Sequence, residues 1–246
     1  MFPVTLSFTE SFIACNSILR ERGHKMRLKK YDAFRRTLAT FLAGAVLLAL
    51  WTAPAFAATA PADSQQMSQA DFSKAMRKLW EDHITWTRLY IISAVANLPD
   101  KDATTQRLLQ NQTDIGNAVA GFYGDAAGAK LTALLKDHIL GAAALIEAAK
   151  SGDKAKIDAA AAKWYANADE IAAFLSGANP KHWPAADMKA GMKMHLDLTL
   201  AEATDRLQGN YAADIQEYDK IHAHILGLAD LLSSGIIAEF PAKFKK

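Results

Sequence analysis

The sequence predicts an all-α, up-and-down bundle of four to six antiparallel helices, and three observations carry that prediction. From residue 68 onward apolar residues recur at spacings of three and four, and no segment alternates as a strand would. These runs are separated by short, punctuated connections: Leu98-Pro99-Asp100, Tyr123-Gly124, Ser151-Gly152-Asp153 and Gly177-Ala178-Asn179-Pro180. With 51% hydrophobic and 22% charged residues in 246, the chain has apolar material for a core and too little charge for a disordered polymer.

Each element has its own local signature. Ser68-Gln69-Ala70-Asp71 reads as an N-cap with an acid three residues on, and Phe72, Met76, Leu79, His83, Thr87 and Tyr90 continue one stripe, so the first helix runs from about 69 to 97. Pro99-Asp100 stops it and starts a second, through Leu108, Ile115, Val119 and Phe122 to Tyr123. Asp125 opens a third helix along Leu131, Leu134, His138 and Leu145. A fourth presents Ile157, Trp164, Ala168, Ile171 and Leu175. After a loop with Trp183 and Pro184, helices over about 185–207 and 211–235 complete the set, and Phe240-Pro241 closes it.

Residues 26–57 have the three parts of a secretory signal: basic Arg27, Lys29, Lys30, Arg35 and Arg36, an uncharged run of 14 residues from Leu38 to Trp51, then Pro54-Ala55-Phe56-Ala57. The run is shorter than the roughly 20 residues that span a bilayer. Cleavage after Ala57 is expected, giving a periplasmic or secreted protein with no integral span. Residues 1–25 then form an upstream extension, with translation starting at Met1 or Met26, 58–67 a flexible tether, and 68–246 one helical domain. The net charge of +2 hides a contrast, because 8 of the 28 basic and 3 of the 26 acidic residues precede cleavage. Residues 58–246 carry 20 basic and 23 acidic residues, which removes the basic excess that a nucleic-acid partner would need. The single cysteine, Cys15, leaves with the leader, and with it disulfides, covalent c-type haem and thiol catalysis.

An internal echo reaches past the fold. His138-Ile139-Leu140-Gly141 and the five residues after it match His224-Ile225-Leu226-Gly227 and its continuation at six of nine positions, and His83/Thr87 pairs more weakly with His195/Thr199. Two halves related by a pseudo-twofold would each bring two histidines to one bundle. His83 and His138 lie on apolar stripes, His195 shares a stripe with Met188, Met192, Thr199 and Glu202, and His224 flanks the apolar centre of the last helix. Imidazoles projected from several facing helices, with Asp114 or Glu202 nearby, suit a transition metal such as zinc, copper or iron. The plainer alternative is that each is a core or rim histidine satisfied by an ordinary hydrogen bond. Met192, Met194 and His195 would suit copper(I), and haem b between His138 and Met192 is the least favoured cofactor. Asp114, among the amides of Gln110-Asn111-Gln112-Thr113-Asp114-Ile115-Gly116-Asn117, is expected to orient an imidazole. Trp86 and Arg88, with Asn117, are expected to line a ligand cavity.

Other chemistries lack their signatures. There is no paired Glu-x-x-His, no His-Glu-x-x-His, no Gly-x-Ser-x-Gly elbow and no glycine-rich phosphate loop. Asp100-Lys101-Asp102 opens a helix directly after a proline, where acids are expected for capping.

The segment Leu79-Trp80, Asp82-His83, Trp86-Thr87-Arg88, then Asp114-Ile115-Gly116-Asn117, Phe122-Tyr123-Gly124 and Trp164-Tyr165-Ala166-Asn167-Ala168-Asp169-Glu170-Ile171 resembles a family of exported bacterial and archaeal all-α proteins of unknown function. Some members carry the name glycosyltransferase, which a chain with no nucleotide-binding sheet pattern does not support. The resemblance covers nearly the whole mature chain. It implies that His83, His138 and His195 occupy family positions while His224 varies, which favours three histidines plus a carboxylate. Three functions are therefore expected in order: a metal- or small-ligand-binding bundle, a cofactor-free structural or interaction module of the envelope, and an enzyme using the same cavity with a histidine base and Arg88 as anion clamp.

Overall fold

The Ser68 hydroxyl accepts from the Asp71 amide at 3.1 Å and donates to the Asp71 carboxylate at 2.7 Å, capping the first helix as its sequence pattern predicts. The computed structural model describes residues 66–245; the leader, the upstream extension and most of the tether lie outside them. The described residues form six helices, α1 (Gln69–Val95), α2 (Lys101–Tyr123), α3 (Asp125–Ser151), α4 (Lys154–Ala178), α5 (Ala185–Gln208) and α6 (Tyr211–Glu239), then a 3₁₀ turn over Pro241–Lys243. There is no strand among the described residues, only an isolated bridge between Ser68 and Lys245. The fold class read from the sequence is therefore the observed one.

Each helix packs against its predecessor and successor, and α6 closes on α1, so the six form a ring; α1 also touches α3 and α5. Short connections make neighbours antiparallel, and contacts at the two ends reflect this. At one end Phe72 of α1, Phe122 of α2 and Phe244 near the C-terminus stack with centroids 4.9–5.6 Å apart. At the other, Lys150 of α3 donates to the Ala94 carbonyl and to Asn97, closing the far ends of α1 and α3.

Two close approaches set the spacing of helices. Gly116 of α2 and Gly128 of α3 face each other: a Cβ on Gly128 would stand 2.6 Å from the Gly116 carbonyl oxygen and 2.6 Å from Ala120 Cβ. Gly235 lies under the Trp183 indole, where a Cβ would come within 2.8 Å of Cε2. That second contact corrects an expected boundary. The sequence reading ends the last helix at about 235, yet α6 continues to Glu239, because the glycine serves packing and its backbone stays helical. Asp100 likewise sits at the N-cap of α2 but makes no capping hydrogen bond, and only Asp102 plays the first-turn acidic role. Among the described residues α6 is the one helix long and apolar enough to cross a bilayer; 44% of its most apolar window is buried inside the bundle.

Candidate functional site

Three helices bring one histidine each to a common level of the core. His83 of α1, His138 of α3 and His195 of α5 are 2%, 3% and 4% exposed. The His195 ring lies 5.7 Å from His83 and 5.9 Å from His138, centroid to centroid, and 6.1 Å from His224 of α6. His195 is thus the middle of a contiguous array. His224 is its half-buried end, with Nε2 donating to the Gly191 carbonyl at 3.1 Å beside a surface groove of about 270 Å³ that Asp187 and Gly227 also line.

Packing holds these rings. Trp164 stacks on His138 at 5.4 Å, and Trp80 meets His83 edge-on at 5.7 Å. Thr87 and Thr199 each donate back to the carbonyl four residues earlier, that of His83 and His195, at 2.8 Å in both cases. The His83/Thr87 and His195/Thr199 echo therefore corresponds to a shared local structure.

Amides, and not carboxylates, surround the array. Asn167 of α4 donates through Nδ2 to the Leu134 carbonyl, which turns its Oδ1 toward His138 Nδ1 at 3.1 Å. His138 Nδ1 therefore carries the hydrogen, and its Nε2 keeps a free lone pair. Gln112 Oε1 and His83 Nδ1 are both buried without a partner, as is His195 Nδ1. Gln112 is held by donation to the Leu108 carbonyl and to Asn111, and Asn111 in turn donates to the Leu79 carbonyl across to α1. Burial holds His83 down at about 3 and His138 at about 4; repulsion from His138 adds to the first, while Gln112 and Asn167 respectively oppose these shifts. His195 is held well below the ordinary histidine value by burial and then by the neighbouring histidines, and burial also lowers His224. The layer is neutral near pH 7.

The expected carboxylate ligands stand elsewhere. Asp114 is half-buried and accepts from Gln110 one turn away on its own helix, so it orients no imidazole; Asn167 and Gln112 are the amides beside His138 and His83. Glu202 is fully buried but two turns beyond His195, where Arg88 donates to it at 2.7 Å. Arg88 also grips Asp214 of α6 through two bonds of 2.7 and 3.2 Å, Arg206 approaches Asp214 at 3.3 Å, and the Arg88 guanidinium lies 4.7 Å from the Tyr218 ring centre. Burial pushes the Glu202 carboxyl up to about 7 despite Arg88. Arg88 is thus occupied as a strut between three helices and cannot clamp an outside anion.

Trp86 turns away from Arg88 and lies under Arg107, 5.2 Å from its guanidinium, and Asn117 is exposed, so these three line no common cavity. Met194 is 55% exposed, which removes it from the array, whereas Met192 is buried. Asp214 and Asn167 are the residues that reading from the sequence missed, whereas Asn111 and Gln112 belong to the amide run it singled out. Asp214 resembles an ordinary first-turn acid, but Asn167 stands three residues after Trp164, a spacing that puts it on the buried side.

Among the described residues no group of three His, Cys, Asp or Glu side chains has its donor atoms drawn together in the geometry of a metal site. What the array offers is three neutral imidazoles in an apolar interior, a fixed Nδ1–H on one and unpartnered nitrogens on the other two. No family model, curated protein or solved structure matches the chain.

Proposed function

We propose that the protein is an exported helical bundle that binds one transition-metal ion through His83, His138 and His195, with His224 at the edge of the site. The observation that carries this reading is the set of unpartnered imidazole nitrogens, since buried ring nitrogens without hydrogen bonds cost free energy that a metal would return. Asn167, bonded to His138 Nδ1, is the group that would fix that ring from behind. Metal binding would require the donor nitrogens to be drawn together from this arrangement.

Copper(I) is the ion the chemistry favours. The site holds no carboxylate to neutralise a dication, and desolvating a charge grows steeply with its magnitude, so the imidazole-binding ion of lowest charge costs least. The export signal and the family resemblance support the placement of this binding outside the cytoplasm. Turning Arg88 inward to Glu202 and Asp214 weighs against an enzyme using it as an anion clamp.

The test is elemental mass spectrometry on untagged protein loaded separately with copper(I), zinc and iron(II). About one equivalent of copper, absent from a folded His83→Gln/His138→Gln variant, is expected. The second reading, a metal-free envelope module, rests on the unconverged ring nitrogens. Metal-free protein after every loading would overturn the first reading and leave a helical module whose partner must be found by pull-down.

A further inference from the structure

A cavity of about 40 Å³ adjoins the histidine layer on the side facing the Arg88 network. Its floor is formed by Thr87 and Thr199, one turn beyond His83 and His195, and by Trp164, which stacks on His138. Its walls are aliphatic, chiefly Ile91, Ile139, Leu145 and Ala203. Its rim includes Thr204, which is exposed, and half-buried Ala149 and Leu207. α4 contributes only Trp164 to this lining. No histidine lines the cavity; Trp164, stacked on His138, and Thr87 and Thr199, one turn from His83 and His195, stand between it and the layer.

The chemistry of the walls limits what enters. No charged side chain lines the cavity. The Thr87 and Thr199 hydroxyl hydrogens are committed to their own helices, which leaves Tyr90 and the rim residue Thr204 as the hydroxyl-bearing side chains of the lining that have no such bond. Trp164 Nε1 is a buried donor with no partner. A water needs two to four polar partners and about 10–15 Å³, so the space takes about three water-sized groups, in a lining that is mostly aliphatic. A charged ligand would lose its hydration with nothing in exchange.

We infer that this cavity holds a small, uncharged, weakly polar molecule of about three heavy atoms or fewer, such as a dissolved diatomic gas, one side chain away from the histidine layer. The ligand sits against the Thr87, Thr199 and Trp164 side of the rings. The site exists without metal, so it is tested on metal-free protein, and its failure and that of the copper reading are separable.

The probe is xenon, titrated into the purified full-length protein while methyl and imidazole resonances are followed by NMR. Saturable shifts at Ile91, Ile139 and Leu145 and at the His138 and His195 rings are expected, with Ile221 and Ile236 unmoved. Filling the space with Ala203→Leu, or with Ala142→Leu should the first variant not melt cooperatively, is expected to abolish the shifts. The inference is overturned by a wild type without saturable shifts, by shifts that survive filling, or by methyl shifts with silent histidine rings, which would mark a void with no connection to the layer.

Discussion

Protonating His83 inside the bundle would place a charge where only amides and other imidazoles stand to meet it. Its value is held near 3 and that of His138 near 4, so the unfolded chain binds protons that the folded one refuses. The stability these neutral rings contribute is complete above the unfolded value of about 6.5 and is lost as pH falls toward 3, at about 1.4 kcal/mol per pH unit for each ring. Glu202 acts in the opposite sense: with its folded value raised to about 7, the fold loses stability as pH rises from about 4.5 to 7. Three histidines outweigh one carboxyl, so urea unfolding against pH is expected to show maximum stability near pH 6.5–7 and a steep acid limb. A Glu202→Gln variant is expected to lose the shallow fall on the upper side, and a flat profile in wild type would contradict the burial of neutral rings. Arg88 is the countercharge of two buried carboxylates. Replacing it by Met strands Glu202 and Asp214, both fully buried, and a cost of about 3–5 kcal/mol in equilibrium unfolding is expected.

Between α2 and α3 the backbones meet at Gly116 and Gly128, and an added methyl has no free direction. Gly128→Ala is expected to destabilise by about 1–3 kcal/mol. Gly121→Ala, on α2 with open space where its Cβ would stand, is expected to be neutral or to stabilise by up to about 1 kcal/mol through helix propensity. Thermal melts of the two variants separate close approach from propensity, and equal effects would remove the packing argument. Elements were legible where local chemistry decides them. The Ser68 cap, the Ser151-Gly152-Asp153 break and the buried stripe through Trp164 are set by side chains within a turn of one another. The end of α6 was not, because Gly235 answers to Trp183, which comes from a loop about fifty residues earlier.

At the scale of the whole molecule, a closed ring of six helices determines which inward residues meet. Helical spacing showed that His83, His138 and His195 face inward; only the ring order brings α1, α3 and α5 to one level around His195. The same order separates Glu202 from that layer, since two turns along α5 it finds Arg88 and Asp214. Carboxylate partners were not legible for a physical reason: a stripe gives direction around a helix, while height along the bundle depends on neighbours. The outcome is a layer of neutral nitrogen donors without acids, adjoining an apolar cavity. X-ray absorption at the copper edge of the copper(I)-loaded protein tests this account most directly. It is expected to show a shell of nitrogen neighbours with the multiple scattering of imidazole rings, weakened in His138→Gln. A sulfur shell from methionine, a spectrum unchanged by that substitution, or protein that retains no copper would contradict it.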